Sequence, residues 1–135
     1  MRTTVDDLLA AARSRLDRVG PHDAAAAVRE GALLVDIRSD SQRAADGTIP
    51  GAMWHARNVL EWRADPTASH HDPELSGDLD RHLIVVCDAG YASSLAAATL
   101  QDLGFTRATD LDGGFQAWRA AGLPVQAPAS DSTSG

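Results

Sequence analysis

At 135 residues, 44% of them hydrophobic, the chain suffices for one globular domain and not for two. Its 12 basic residues, all arginine, stand against 19 acidic ones for a net charge of −7, which argues against a general nucleic-acid or anionic-membrane surface. A single cysteine, Cys87, excludes an internal disulfide and a multi-cysteine zinc site, and Asp6 and Asp7 stand where a secretory signal would need apolar residues, so the protein is expected to be soluble and cytoplasmic.

Thr4 and Asp7 form a capping-box pattern, and Val5, Leu8, Leu9, Ala12 and Leu16 follow at helical spacing, which predicts an amphipathic N-terminal helix within residues 1–17. After Gly20-Pro21, Asp23 to Arg29 reads as an Ala-rich helix ended near Gly31. Leu33 to Ile37 is a short apolar strand. Gly47-Thr48-Ile49-Pro50-Gly51-Ala52 is turn chemistry leading to a strand around Met53 to His55, and Asn58 to Arg63 reads as a helix broken by Asp65-Pro66. From Ala64 to Arg81 the composition is polar and is read mostly as loop.

Leu83 to Cys87 is continuous, apolar and β-branched, the signature of a strand buried on both faces of a parallel sheet. Asp88 to Ala92 then forms a loop, Ser93 and Ser94 can cap a helix over Leu95 to Leu103, and Gly104 ends it. A strand near Arg107 to Leu111, a Gly113-Gly114 turn and a helix through Trp118 follow. Strands alternating with helices predict an α/β domain over residues 18–125, with a central, mostly parallel sheet flanked by helices on both faces. Residues 126–135, rich in Ala, Pro, Ser and Gly, read as a disordered tail.

Ligands of open α/β sheets gather at the carboxyl ends of strands, and Cys87 ends the most buried one. A tight strand-to-helix loop can turn backbone N–H groups inward, and the helix dipole adds partial positive charge at the same point. Both favour a thiolate, the reactive form of cysteine. The alternative is a small buried hydrophobe with no chemistry.

Four segments resemble the rhodanese-like domain family. They are Leu33-Leu34-Val35-Asp36-Ile37-Arg38, Gly47-Thr48-Ile49-Pro50-Gly51-Ala52, the loop Cys87-Asp88-Ala89-Gly90-Tyr91-Ala92-Ser93, and Leu111-Asp112-Gly113-Gly114-Phe115-Gln116-Ala117-Trp118. The resemblance implies a sulfurtransferase that moves sulfane sulfur from a donor such as thiosulfate to a thiophilic acceptor through a persulfide on Cys87. It implies that Asp88, Ala89, Gly90, Tyr91, Ala92 and Ser93 surround the substrate, with no cofactor and no metal. The partners it implies are small sulfur donors and acceptors, with a protein thiol as another acceptor.

Two departures stand out. Many members carry Arg five residues after the cysteine, where this chain has Ala92, and Asp88 adds a negative charge beside the nucleophile. Arg57 is the nearest candidate for the missing cation, its alternative being a solvated surface arginine. These departures motivate a competing reading, a non-catalytic rhodanese-like module that binds a partner or senses sulfur. A phosphatase or arsenate reductase on a related fold would need a longer loop closed by Arg after Cys-x5, where this chain has Ser93. Asp36 and Arg38 read as a structural pair, His55, His70, His71 and His82 as surface histidines, and Trp54, Trp62 and Trp118 as core or interface anchors.

Overall fold

The computed structural model describes residues 1–128. Four strands, Leu33–Asp36 (β1), Met53–Trp54 (β2), Leu83–Val86 (β3) and Ala108–Asp110 (β4), form one parallel sheet in the order β2-β1-β3-β4. Parallel neighbours need crossovers, and Asp40–Asp46 (α3) lies between β1 and β2, Leu60–Ala64 (α4) and Pro73–Ser76 (α5) between β2 and β3, and Ala92–Asp102 (α6) between β3 and β4, while Val5–Arg13 (α1) and Pro21–Arg29 (α2) precede the sheet and Gly114–Ala120 (α7) follows it.

The register shows why β3 carries the longest apolar run. Val85 and Cys87 face a core with Leu60, Leu75, Ala96, Leu100 and Phe105, while Ile84 and Val86 face a second core with Ala24, Leu34, Leu111, Phe115 and Trp118. Every residue of β3 is buried, as a central strand covered on both faces requires. The expected mostly parallel α/β sheet, with helices on both sides, is what the chain forms.

After β1 the chain continues to β2 on one side, and after β3 to β4 on the other. The strand order therefore reverses between β1 and β3, which opens a crevice at their carboxyl ends. Cys87 and Ile37 stand there.

Several elements differ from the sequence reading. Helix α3 was not expected, although Ser39 and Gln42 form a capping box with reciprocal bonds of 3.1 Å. Helix α5, within the presumed loop, starts at Asp72, whose carboxylate accepts the Glu74 N–H at 3.0 Å. The segment Asn58 to Arg63 is split into a 3-10 turn, Arg57–Val59, and α4. Gln126, the first residue of the expected tail, is tied to Thr48 by two backbone bonds of 2.7 and 2.9 Å. Residues 129–135 of that tail lie outside the described residues.

Candidate active site

Cys87 follows β3 directly and is 7% exposed. Its Sγ accepts the Gly90 N–H at 3.1 Å and the Ser93 N–H at 3.3 Å, so the loop closes around the sulfur. This wrap needs Gly90 in the left-handed region, φ +90°, where a Cβ would also come within 2.7 Å of the Gly113 nitrogen.

Helix α7 clamps the same loop from its start. The Phe115 N–H donates to the Cys87 carbonyl at 2.8 Å and the Gln116 N–H to the Asp88 carbonyl at 3.1 Å. Gly114 sits so close that a Cβ would lie 2.5 Å from the Cys87 carbonyl oxygen. The Gly-Gly pair is thus a requirement of backbone approach as well as of turn geometry.

Ser93 and Ser94 do not cap α6; Tyr91 is its N-cap residue and makes no side-chain capping bond. Both hydroxyls instead donate to Asp110 Oδ2, at 2.7 and 2.8 Å. A buried carboxylate in β4 outcompetes the helix end because it would otherwise carry unmet charge in the core. Asp110 is fully buried and also pairs with Arg18, whose Nε lies 2.9 Å from Oδ1. Burial disfavours the Arg18 charge, but the hydrogen bond and charge of Asp110, with contributions from Asp112 and Cys87, outweigh it and hold the guanidinium above its ordinary pKa.

Beside the sulfur lies a pocket of about 240 Å³, lined by Cys87, Asp88, Ala89, Tyr91 and Ala92 from the loop and by Ile37, Arg38 and Gln42 from the segment after β1. A larger cavity, about 480 Å³, is lined by Asp78, Asp80, Arg81, His82 and Arg107 at the amino ends of the strands and contains no nucleophile. The pocket at Cys87 is the one with a thiol in its wall.

Of the residues singled out from the sequence, the whole loop Cys87 to Ser93 comes together at the sulfur. Arg57 does not line this pocket; its Nη1 pairs with Glu61 at 2.7 Å. Asp36 and Arg38 are both buried and paired at 2.9 Å, and Arg38 Nη2 donates to the Gly47 carbonyl at 2.8 Å, which fixes the turn before β2. The Arg38 guanidinium stacks 3.8 Å from the Phe115 ring centroid. His55 pairs with Asp72 at 2.8 Å, and no group of three or more His, Cys, Asp or Glu side chains is placed to hold a metal among the described residues. Trp118 is core, Trp54 donates its indole N–H to the Arg38 carbonyl at 2.9 Å, and Trp62 is exposed.

Four side chains around the loop were not singled out from sequence: Arg13, Arg18, Asp110 and Gln116. Arg13 and Arg18 both donate to the Gly90 carbonyl, at 2.7 and 2.9 Å, and Gln116 donates to the Asp88 carboxylate at 2.9 Å. The four lie 17 to 77 residues from the loop groups they touch, so no local pattern announces them.

A family model for the rhodanese-like domain matches residues 20–121. The thiosulfate sulfurtransferase GlpE of Ectopseudomonas mendocina is 41% identical over 107 residues, covering 79% of this chain and 88% of that protein. A solved Rhodopseudomonas palustris protein, described as of unknown function and "Possible Tyrosine Phosphatase", is 32% identical with a TM-score of 0.86, covering 93% and 96% of the two chains. The human single-domain sulfurtransferase TSTD1 is 28% identical with a TM-score of 0.65, covering 76% and 95%.

Proposed function

The chain belongs to the rhodanese-like domain family, and from that premise we propose that Cys87 is its sulfur carrier. The protein is a rhodanese-type sulfurtransferase that acts on small sulfur donors and acceptors, thiosulfate being the donor named for its relatives. The observation that supports Cys87 most directly is the pair of N–H groups, from Gly90 and Ser93, aimed at Sγ.

The Cys87 thiolate attacks the sulfane sulfur of thiosulfate. A new S–S bond forms, the sulfur–sulfonate bond breaks, and its electron pair leaves with sulfite. Cys87 then holds a persulfide anion, which the two N–H groups stabilise as they did the thiolate. An acceptor such as cyanide attacks the outer sulfur, the S–S bond breaks, and the electron pair returns to Cys87. Charge and electrons balance in both half-reactions, so the chain's own cysteine suffices for the transfer. A protein thiol is a further acceptor of the same chemistry.

The loop residues Asp88, Ala89, Tyr91 and Ala92 form the substrate wall, and Gly90 and Ser93 present their N–H groups. Arg57 would join this set only by leaving Glu61. Among the described residues no helix is long and apolar enough to cross a membrane. A lone thiol used as a nucleophile suits a reducing compartment, which supports the cytoplasm.

Phosphate-ester chemistry at this loop would need a guanidinium at Cys-x5. Ser93 stands there with its hydroxyl on Asp110, so the anion clamp has no residue to form it. A non-catalytic binding module is the reading that remains if Cys87 carries no sulfur.

The decisive experiment is intact mass after incubation with thiosulfate. Wild type gains one sulfur and Cys87→Ser gains none while keeping its circular dichroism spectrum. An unmodified wild type, or turnover that survives in Cys87→Ser, overturns the reading.

A further inference from the structure

The N-terminal helix precedes the residues matched to the family, yet its last residue reaches the loop. Arg13 donates from Nη2 to the Gly90 carbonyl at 2.7 Å and from Nε to Ser94 Oγ at 3.1 Å. Its guanidinium also lies over the ring of Tyr91, 5.5 Å from the centroid. Arg18 Nη2 reaches the same carbonyl at 2.9 Å.

A carbonyl oxygen has two lone pairs, and here two cations take them. Gly90 is also the residue whose N–H donates to Cys87 Sγ. Holding its carbonyl anchors the Gly90–Tyr91 peptide, so that only φ and ψ of Gly90 separate a fixed plane from the N–H aimed at Sγ. The two arginines differ in charge balance. Arg18 is matched by Asp110 and, at 3.3 Å, by Asp112, whereas Arg13 forms no ion pair among the described residues. Its charge is directed at the loop without a carboxylate to cancel it.

We propose that Arg13 is a positioning residue for Cys87: it anchors the Gly90–Tyr91 peptide of the loop whose N–H groups face the sulfur, and it supplies from α1 the positive charge that the loop itself lacks at Ala92. The assignment rests on Cys87 being the reactive group of the site. It gives α1 a role in substrate selection, because a cation behind the loop favours anionic donors over neutral ones.

Because Cys87 is the only cysteine, alkylation reports on it alone. The ratio of the iodoacetate rate to the iodoacetamide rate reads the potential at the sulfur, since only the first reagent is anionic, and a change in the amount of thiolate cancels. Arg13→Met is expected to lower this ratio about fivefold, and Arg13→Lys to keep it within about twofold of wild type by retaining the charge. Arg15→Ala is the control. Arg15 ties the segment after α1 to Asp102 and the Ala98 carbonyl of α6, at 2.6 and 3.2 Å, without touching the loop. It should leave the ratio unchanged.

An unchanged ratio in Arg13→Met, or an equal fall in Arg15→Ala, overturns the assignment, because helix docking alone would then account for the contacts. Sulfur loading measured on the same proteins separates the two readings. If wild type takes up no sulfur while the alkylation pattern holds, the sulfur-carrier reading fails and the role of Arg13 stands.

Discussion

The Gln116 side-chain amide donates to the Asp88 carboxylate at 2.9 Å and to Asp46 at 3.0 Å, which ties the acid beside Cys87 to α7. Both amide hydrogens are used, and Arg119 donates to the Gln116 carbonyl oxygen, so the amide has its orientation fixed. A carboxylate next to Cys87 would repel an anionic donor if it swung further toward the sulfur. Asp88 lines the Cys87 pocket, and the Gln116 bond holds its Oδ1 against α7.

Removing that tether should therefore act on donor binding. Gln116→Ala is expected to raise the KM for thiosulfate about threefold with little change in kcat, through repulsion between Asp88 and the donor. Asp88→Asn in the same background should restore the KM. Steady-state kinetics of the two variants decide the matter, and a KM that stays high in the double variant would place the fault in the α7 contact instead.

Ala92 is exposed and lines the pocket at the point where the loop becomes α6. Ala92→Arg places a guanidinium there, and a lower KM for thiosulfate is expected, with a weaker effect on uncharged donors. Competition assays between thiosulfate and a neutral persulfide donor would show it. A flat or raised KM would mean that the new side chain points to solvent.

Asp110 is the acceptor on which Ser93, Ser94 and Arg18 converge. Asp110→Ala strips both serine hydroxyls of their acceptor and leaves Arg18 only the exposed Asp112 as a counter-charge, and a loss of about 3–5 kcal/mol in unfolding free energy is expected. Urea denaturation of wild type and variant measures it. Asp110→Asn, which keeps an acceptor, should lose less.

His82 has a lowered pKa because burial disfavours its charged form and Arg107 repels it, with Asp17 acting in the opposite sense. The unfolded chain then takes up this proton first as pH falls. Stability carried by neutral His82 is present above the ordinary histidine pKa of about 6.5 and declines as pH drops from there toward the lowered folded value. His82→Gln should remove that part of the slope, visible as a smaller difference in urea midpoint between pH 8 and pH 5. Equal slopes would mean that His82 is protonated alike in both states.

What the sequence made legible follows the range of the interactions. Leu83 to Val86 announced a doubly covered strand because burial on both faces is written in four adjacent residues, and Cys87 announced itself by following that strand. Ser93 and Ser94 misled as helix caps, since a capping pattern is local while their true acceptor, Asp110, lies 17 and 16 residues away. The capping box of α3 is present in Ser39 and Gln42, but no apolar periodicity follows it to mark a helix. Arg13 and Gln116 offered no signal: each is an ordinary polar residue on a helix until the fold brings it to the loop.

The recess of Cys87 also limits who can reach it. A disulfide between two copies needs Cα atoms within about 7 Å of each other. With Cys87 only 7% exposed and Tyr91 63% exposed in the same loop, that approach is hindered at the loop. The protein is thus shielded from dimerising through its own thiol. The same burial favours small sulfur donors and acceptors, whose reactive atom can come up to the thiol from the pocket lined by Ile37, Ala89 and Ala92.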